Sequence, residues 1–325
     1  MAELRWHPLT KDWVMIASHR QNRPQMPKDW CPFCPNPDND KVKETYDVME
    51  YDNDFPALSQ NPPVPDDVAN EFFKTREAYG KCEVILYSPD HTITLPELPT
   101  DHIAKLVDLW CDRFTDISSD EKIKYVFIFE NRGDVVGVTM PHPHGQIYGY
   151  SIIPKKLELE LESSKEYYEE KGKCIFCEMA EQEREFGKRI IFETEHFTVF
   201  LPFFCEYPYG VYVMSKRHVN NITQLTDEEK YDLAEALRLT SGTLDSLFDY
   251  KFPYMMCMHN GPVNSDNTDD YYHFHIEFFP PMRSADKQKF NASSETGAWA
   301  HCNPTAPEDK AIELREAYER FKNMK

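Results

Sequence analysis

Short apolar runs bounded by turn residues recur along the chain, at Tyr79–Tyr87, Tyr125–Phe129, Tyr209–Met214 and Tyr254–Met258. They are rich in β-branched and aromatic residues, which predicts strands. Helical spacing appears over 101–115 and 307–323, and again after Thr226. There Thr226-Asp-Glu-Glu229 has the form of a capping box, with Leu233, Leu237 and Leu239 following on one side. The Glu- and Lys-rich segment 155–173 predicts a helical bridge. Strands joined by hairpin-like connections and flanked by helices predict an α+β fold with a mainly antiparallel sheet.

The same parts occur twice in the same order. The first half runs Cys31-Pro-Phe-Cys34, Asp52-Asn-Asp-Phe55, the Tyr79 strand leading to His91, a helix, the Tyr125 strand and His142-Pro-His144. The second runs Cys174-Ile-Phe-Cys177, Glu193-Thr-Glu-His-Phe197, the Tyr209 strand leading to His218, a helix, the Tyr254 strand and His273-Phe-His275. Insertions in surface loops account for the unequal intervals. Two repeats, 1–154 and 155–325, are the simplest organisation.

Charge narrows the partners. The chain has 325 residues and a formal charge of −20, which repels extended nucleic acid, since each phosphate contact needs a Lys or Arg. A small anion held by a few local arginines is still compatible. No apolar stretch is long enough to span a membrane, and the start lacks a signal-peptide pattern. The expected location is the cytoplasm, where thiols stay reduced, so the close pairs among the nine cysteines read as metal ligands rather than disulfides.

A Cys-x-x-Cys turn sets two thiolates at one zinc ion, and His91 at the end of its strand and His142 can complete a Cys2His2 site with Cys31 and Cys34. The competing interpretation is a pair of buried thiols. By the repeat, Cys174, Cys177, His218 and His273 form the second site, although Glu160, His259 and His275 compete for that neighbourhood. Four protein ligands would make either site structural.

Pro143 stiffens the histidine run, so that His142 can turn to metal while His144 faces a cleft. Gly145 leaves room for a phosphoryl group, and Gln146 offers an uncharged donor to a non-bridging oxygen. A neutral imidazole can attack phosphorus and hold the transferred group as a phosphoramidate. His144 is therefore the candidate nucleophile, the alternative being one more ligand or a hydrogen-bonded strand histidine.

At these residues the chain resembles the galactose-1-phosphate uridylyltransferase family, a branch of the histidine-triad superfamily. The resemblance runs through Arg5-Trp-His-Pro-Leu-Thr-Lys-Asp-Trp13, His19-Arg-Gln-Asn-Arg-Pro24, Asn53-Asp-Phe-Pro-Ala-Leu58, Ser88-Pro-Asp-His-Thr-Ile-Thr-Leu-Pro-Glu-Leu98, Phe129-Glu-Asn-Arg-Gly133, the His-Pro-His-Gly-Gln run and Lys289-Phe290. It implies a duplicated histidine-triad-like fold and a ping-pong exchange of UMP between UDP-glucose and galactose 1-phosphate through His144. It also implies that Arg20 and Arg23 meet phosphate, Asn53 and Asp54 the ribose, and Asn131, Thr139 and Gln146 the phosphoryl oxygens. Lys289, Phe290 and Glu295 fall in the family's sugar-binding segment. A homodimer is implied as well. Relatives hold the second metal, zinc or iron, by a cysteine set or by a Glu-plus-histidines set made here of Glu160, His259, His273 and His275. The cysteine set is preferred, because thiolates bind zinc tightly and the first repeat uses the same arrangement. Thr139 stands where some relatives carry Ser, and Thr296–Cys302 departs from the family pattern, which bears on the choice of sugar.

Three rivals differ in testable ways. A hydrolase of the superfamily would want a third histidine at Gln146 to shuttle a proton, whereas a sugar 1-phosphate attacks and leaves already ionised. A nucleotide-sugar phosphorylase of the ADP-sugar type keeps the same chemistry and is separated by assaying UDP- and ADP-sugars side by side. A zinc-held RNA-binding module would need a basic face.

Overall fold

The computed structural model describes residues 2–22 and 30–324. In the first half, β1 (Ala2–His7), β2 (Asp12–Ala17), β3 (Met49–Asp52), β4 (Thr75–Glu77) and β5 (Gly80–Leu86) precede α1 (Thr100–Ser118), β6 (Tyr125–Arg132) and β7 (His144–Tyr150). The second half opens with α2 (Lys155–Lys171), α3 (Ile175–Phe186), β8 (Ile190–Glu193), β9 (Phe197–Phe200) and β10 (Val211–Ser215). It continues with α4 (Asp227–Asp245), β11 (Tyr254–His259), β12 (His275–Phe279), α5 (Ser293–Ala298) and α6 (Pro307–Asn323).

Nine strands form one antiparallel sheet in the order β3-β5-β7-β6-β11-β12-β10-β9-β8. The halves meet where β6 pairs with β11, from Tyr254 opposite Arg132 to Met258 opposite Ile128. Outward from that seam the first half places β7, β5 and β3, and the second places β12, β10 and β9, so equivalent parts take equivalent positions. The expected α+β fold with a duplicated repeat is thus observed. A separate small sheet, β2-β1-β4, was not legible in the sequence. Its strand β1 buries Ala2, Glu3 and Leu4 in succession, and buried Glu3 survives there by pairing with Arg5 at 2.6 Å. Such a run shows no alternation.

Strand alternation sorts the two faces of the large sheet. Ile85, Tyr87 and Ile147 point into a core with Trp110 and Phe114 of α1 and Leu233 and Leu237 of α4. Each such fully buried side chain contributes about 1.5–3 kcal/mol. Val84 and Leu86 point the other way, toward Phe33 and Cys31. The expected capping box forms at α4: Thr226 Oγ1 accepts the Glu229 N–H at 3.3 Å, and Glu229 Oε2 accepts the Thr226 N–H at 2.8 Å.

Two local expectations are corrected. His91 does not end a strand: β5 stops at Leu86, and Pro89, which has no N–H for a ladder, turns the chain into a loop. The two Cys-x-x-Cys segments also differ. Cys34 is followed by Pro35 and Pro37, which cannot propagate a helix, whereas Cys174 caps α3 and Cys177 lies in its first turn. Glu178, Met179, Ala180 and Glu181 are good helix formers, which explains the difference.

Candidate active site and metal centres

His144 opens β7, and alternation places His144, Gln146 and Tyr148 on the sheet face opposite the helices. Its Nδ1–H donates to the His142 carbonyl at 2.7 Å, which leaves Nε2 with the lone pair. The ring is half-buried, lies 5.7 Å from the Phe33 ring and borders a cavity that Asn131 also lines. Gln146 Oε1 accepts the Tyr148 hydroxyl at 3.1 Å, so its amide N–H2 is turned to donate. Arg20 approaches from a short 3-10 helix, Ser18–Asn22, and faces Tyr148, whose hydroxyl burial pushes up to about 12 against the pull of Arg20. The structure therefore brings Arg20, Tyr148, Gln146 and His144 to one face. Extending the β6–β7 register beyond Phe129 opposite Gln146 puts Asn131 beside His144. Thr139 is exposed on the loop between β6 and β7.

Asn53 Oδ1 accepts the Phe55 N–H at 2.9 Å, so it makes the expected turn, and Asp54 pairs with Lys41 and accepts the Tyr51 hydroxyl. Arg23 lies outside the described residues. Lys289, Phe290 and Glu295 gather elsewhere. Lys289 Nζ is 3.5 Å from Glu295 and 5.1 Å from the Tyr207 ring centre, and that ring packs on Phe279 of β12 at 5.5 Å. Phe279 is opposite Met255, which is opposite Asn131, so β7 and β12 are three strand spacings apart, about 14 Å. Glu295 also accepts the Ala292 N–H at 3.2 Å as a helix cap, a structural role for that residue.

His142 is turned the other way from His144. Its Nε2–H donates to the Ser88 carbonyl at 2.8 Å, and its Nδ1 sits 3.7 Å from Cys31 Sγ and 3.6 Å from Cys34 Sγ. His91 Nδ1 is 3.5 Å from Cys34 Sγ. Tetrahedral zinc with ordinary Zn–S and Zn–N bonds demands an S···N edge of about 3.6 Å, so these four side chains fit the ion. Burial pushes the His142 imidazole down to about 4, keeping it a neutral ligand. Burial together with the neighbouring Cys31 sulfur pushes the Cys34 thiol up to about 11, a cost that a divalent cation would offset.

The second repeat reproduces this arrangement. Cys177 Sγ lies 3.1 Å from His218 Nδ1 and 3.3 Å from His273 Nδ1, and Cys174 completes the group. The far nitrogens are again tied, His218 Nε2–H to the Asp269 carbonyl at 2.6 Å and His273 Nε2–H to Ser215 Oγ at 2.8 Å. The hydrogen bond between Cys174 and Cys177 pulls the Cys174 thiol down, with His218 and His273 adding to the effect, and pushes the Cys177 thiol up. Because His273 faces the cysteines, the competing residues form a separate cluster. His259 Nδ1 is 2.9 Å from Glu160, with His275 close by and His259 Nε2 3.7 Å from Glu277. Lys156, 2.8 Å from Glu277, supplies a positive charge there. Sequence reasoning missed Glu277 and Lys156; Glu277 occupies in β12 the place that Gln146 holds in β7.

The family model for the N-terminal domain of galactose-1-phosphate uridyl transferase matches residues 1–154, and that for the C-terminal domain matches 160–316. The chain is 43% identical to a galactose-1-phosphate uridylyltransferase of Thermotoga maritima, over 97% of this chain and 98% of that one. It is 31% identical to the rat protein of the same name, over 96% and 86%. A solved uridylyltransferase superposes with a TM-score of 0.90 at 31% identity, covering 98% of this chain and 99% of the other. An ADP-glucose phosphorylase of Arabidopsis thaliana gives 0.73 at 26%, covering 97% and 99%.

Proposed function

The chain belongs to the galactose-1-phosphate uridylyltransferase family, and from that premise we propose that it passes UMP from UDP-glucose to galactose 1-phosphate through a covalent uridylyl-histidine at His144. It is an enzyme, a UDP-glucose:hexose-1-phosphate uridylyltransferase acting in galactose metabolism. The observation that carries the covalent step is the division of labour between two histidines: His142 turns Nδ1 to the cysteine pair, while His144 ties Nδ1–H to the His142 carbonyl and presents Nε2.

In the first half-reaction Nε2 attacks the α-phosphorus, a P–N bond forms, and the P–O bond to glucose 1-phosphate breaks with its electrons on the departing phosphate. In the second, a phosphate oxygen of galactose 1-phosphate attacks that phosphorus, and the electrons of the broken P–N bond return to Nε2. Neither departing group needs a proton, so Gln146, which donates from its amide, replaces a proton shuttle. Arg20 and Arg23 would meet phosphate charge, Asn53 and Asp54 the ribose, and Asn131 and Thr139 the phosphoryl oxygens. Zinc held by Cys31, Cys34, His91 and His142 would fix the loop behind the nucleophile, with a second zinc on Cys174, Cys177, His218 and His273. No helix among the described residues is long and apolar enough to cross a membrane. The test is to incubate the protein with UDP-glucose, quench in base and search by mass spectrometry for UMP on the peptide carrying His144. A chain that stays unmodified under saturating donor would sink the covalent mechanism.

Lys289, Phe290 and Glu295 stand too far from His144 of their own chain to touch one small sugar there. A homodimer in which each chain's segment completes its partner's site resolves this. Mixed dimers of a His144→Asn chain with a chain carrying Lys289→Ala and Phe290→Ala should then recover about a quarter of wild-type exchange from a random equal mixture and about a half from pure heterodimer, whose one complete site works normally. Recovery no greater than the sum of the two parents would show that the segment does not act across subunits.

A further inference from the structure

At the end of β6 and β7 lies a cavity of about 310 Å³ whose lining includes Tyr87, Glu130, Arg132 and His144. Three polar atoms around it, Tyr87 Oη, Glu130 Oε2 and Arg132 Nη1, are buried and have no hydrogen-bond partner among the described residues. Buried polar groups are normally paired, so three such atoms beside the nucleophile call for a role.

Their connections supply one. Tyr87 grips the histidine strand twice. Its N–H donates to the Pro143 carbonyl at 3.0 Å, and its hydroxyl lies so close under Gly145 that a Cβ there would come within 2.3 Å of it. Only glycine admits this approach. The buried Tyr87 hydroxyl also faces Glu130, whose nearby charge adds to burial in pushing it well up. Glu130 Oε1 accepts the Tyr254 hydroxyl at 3.2 Å across the seam between the two halves. Arg132 lies over the Tyr254 ring and binds Asp245 of α4 at 2.8 Å. The chain Tyr87, Glu130, Tyr254, Arg132, Asp245 thus runs from the back of the histidine strand into the second repeat.

We propose that Glu130 is a positioning residue for the nucleophilic strand, acting through Tyr87 on the Pro143–Gly145 backbone so that the His144 imidazole is held for in-line attack. The proposal rests on the uridylyl-histidine mechanism above. Alternation turns the Glu130 side chain to the sheet face opposite Asn131 and Phe129, away from the His144 imidazole, so its role is positioning. Burial, partly offset by Arg132, Tyr254 and Tyr87, raises its carboxyl to about 7, so much of it is neutral at physiological pH and an amide is a fair isostere.

The test is a single-turnover experiment on the metal-loaded enzyme, timing release of glucose 1-phosphate from saturating UDP-glucose. Glu130→Ala should slow release about a hundredfold, the effect of a small misplacement of a reacting group, while KM for UDP-glucose stays within about threefold and metal content is unchanged. Glu130→Gln should recover to within about fivefold of wild type, since its oxygen can accept from Tyr254 and its amide can donate to Tyr87. Should Glu130→Ala fail to fold, Tyr87→Phe, which removes only the hydroxyl, should slow the same step. A wild-type rate in Glu130→Ala or in Tyr87→Phe, a Gln variant as slow as the Ala variant, or a loss confined to KM would each overturn the positioning role. A wild-type enzyme that releases no burst would instead overturn the uridylyl-histidine, so the two failures are distinguishable.

Discussion

Replacing His144 with asparagine should lower nucleotidyl exchange by roughly 10⁴-fold or more while leaving fold and metal content intact. An amide nitrogen has its lone pair delocalised into the carbonyl and cannot attack phosphorus, so the covalent step loses its nucleophile rather than a fraction of its rate. The fold should survive because the ring is half-buried and its hydrogen bond to the His142 carbonyl can be remade by an asparagine N–H2. Circular dichroism and metal analysis supply the controls. Retention of one per cent of wild-type exchange would count heavily against covalent catalysis at this residue, because the remaining hydrogen-bond donors do not supply a nucleophile.

Cys31→Ser should cost about one metal equivalent per chain and lower Tm on the order of 10 °C. Residues 30–48 contain no helix or strand, and their apolar anchor is small, with Phe33 and Val42 buried against Tyr51, Val84 and Leu86. Without regular backbone hydrogen bonding, the ligand bonds carry much of that loop's order. Activity should fall with the metal, since the Phe33 ring packs 5.7 Å from the His144 ring and His142, turned to the cysteines, lies two residues before it. Metal content equal to wild type in Cys31→Ser, measured by plasma emission, would remove zinc from the structural account of this loop. Loss of metal with unchanged exchange would separate the ion from the site.

Much of the site was legible because its chemistry is local. The Cys-x-x-Cys pairs, the Pro-His-Pro-His-Gly-Gln run and the Thr226–Glu229 cap are short segments whose side chains act within a few residues of one another, and their order in two halves exposed the repeat. The four residues of each cysteine cluster do come together although they lie in three separate segments, and the repeated order is what linked them in the sequence. The small sheet and α3 were not legible. Burial of Glu3 and the switch of the second cysteine pair from a turn to a helix start depend on neighbours remote in the chain.

By itself the sequence determined which side chains could attack phosphorus or bind zinc, and that the parts come twice, since residue type and spacing are sufficient for both. Only the tertiary structure decided where they point. It turned His142 to the cysteines and His144 to the cleft, sent His273 away from Glu160, and put Lys289 three strands from His144. It also ran a buried polar chain from Tyr87 to Asp245 through the seam. Orientation of this kind comes from pairing strands distant in sequence, whose register is fixed by burial of both faces at once, and no local pattern carries that information.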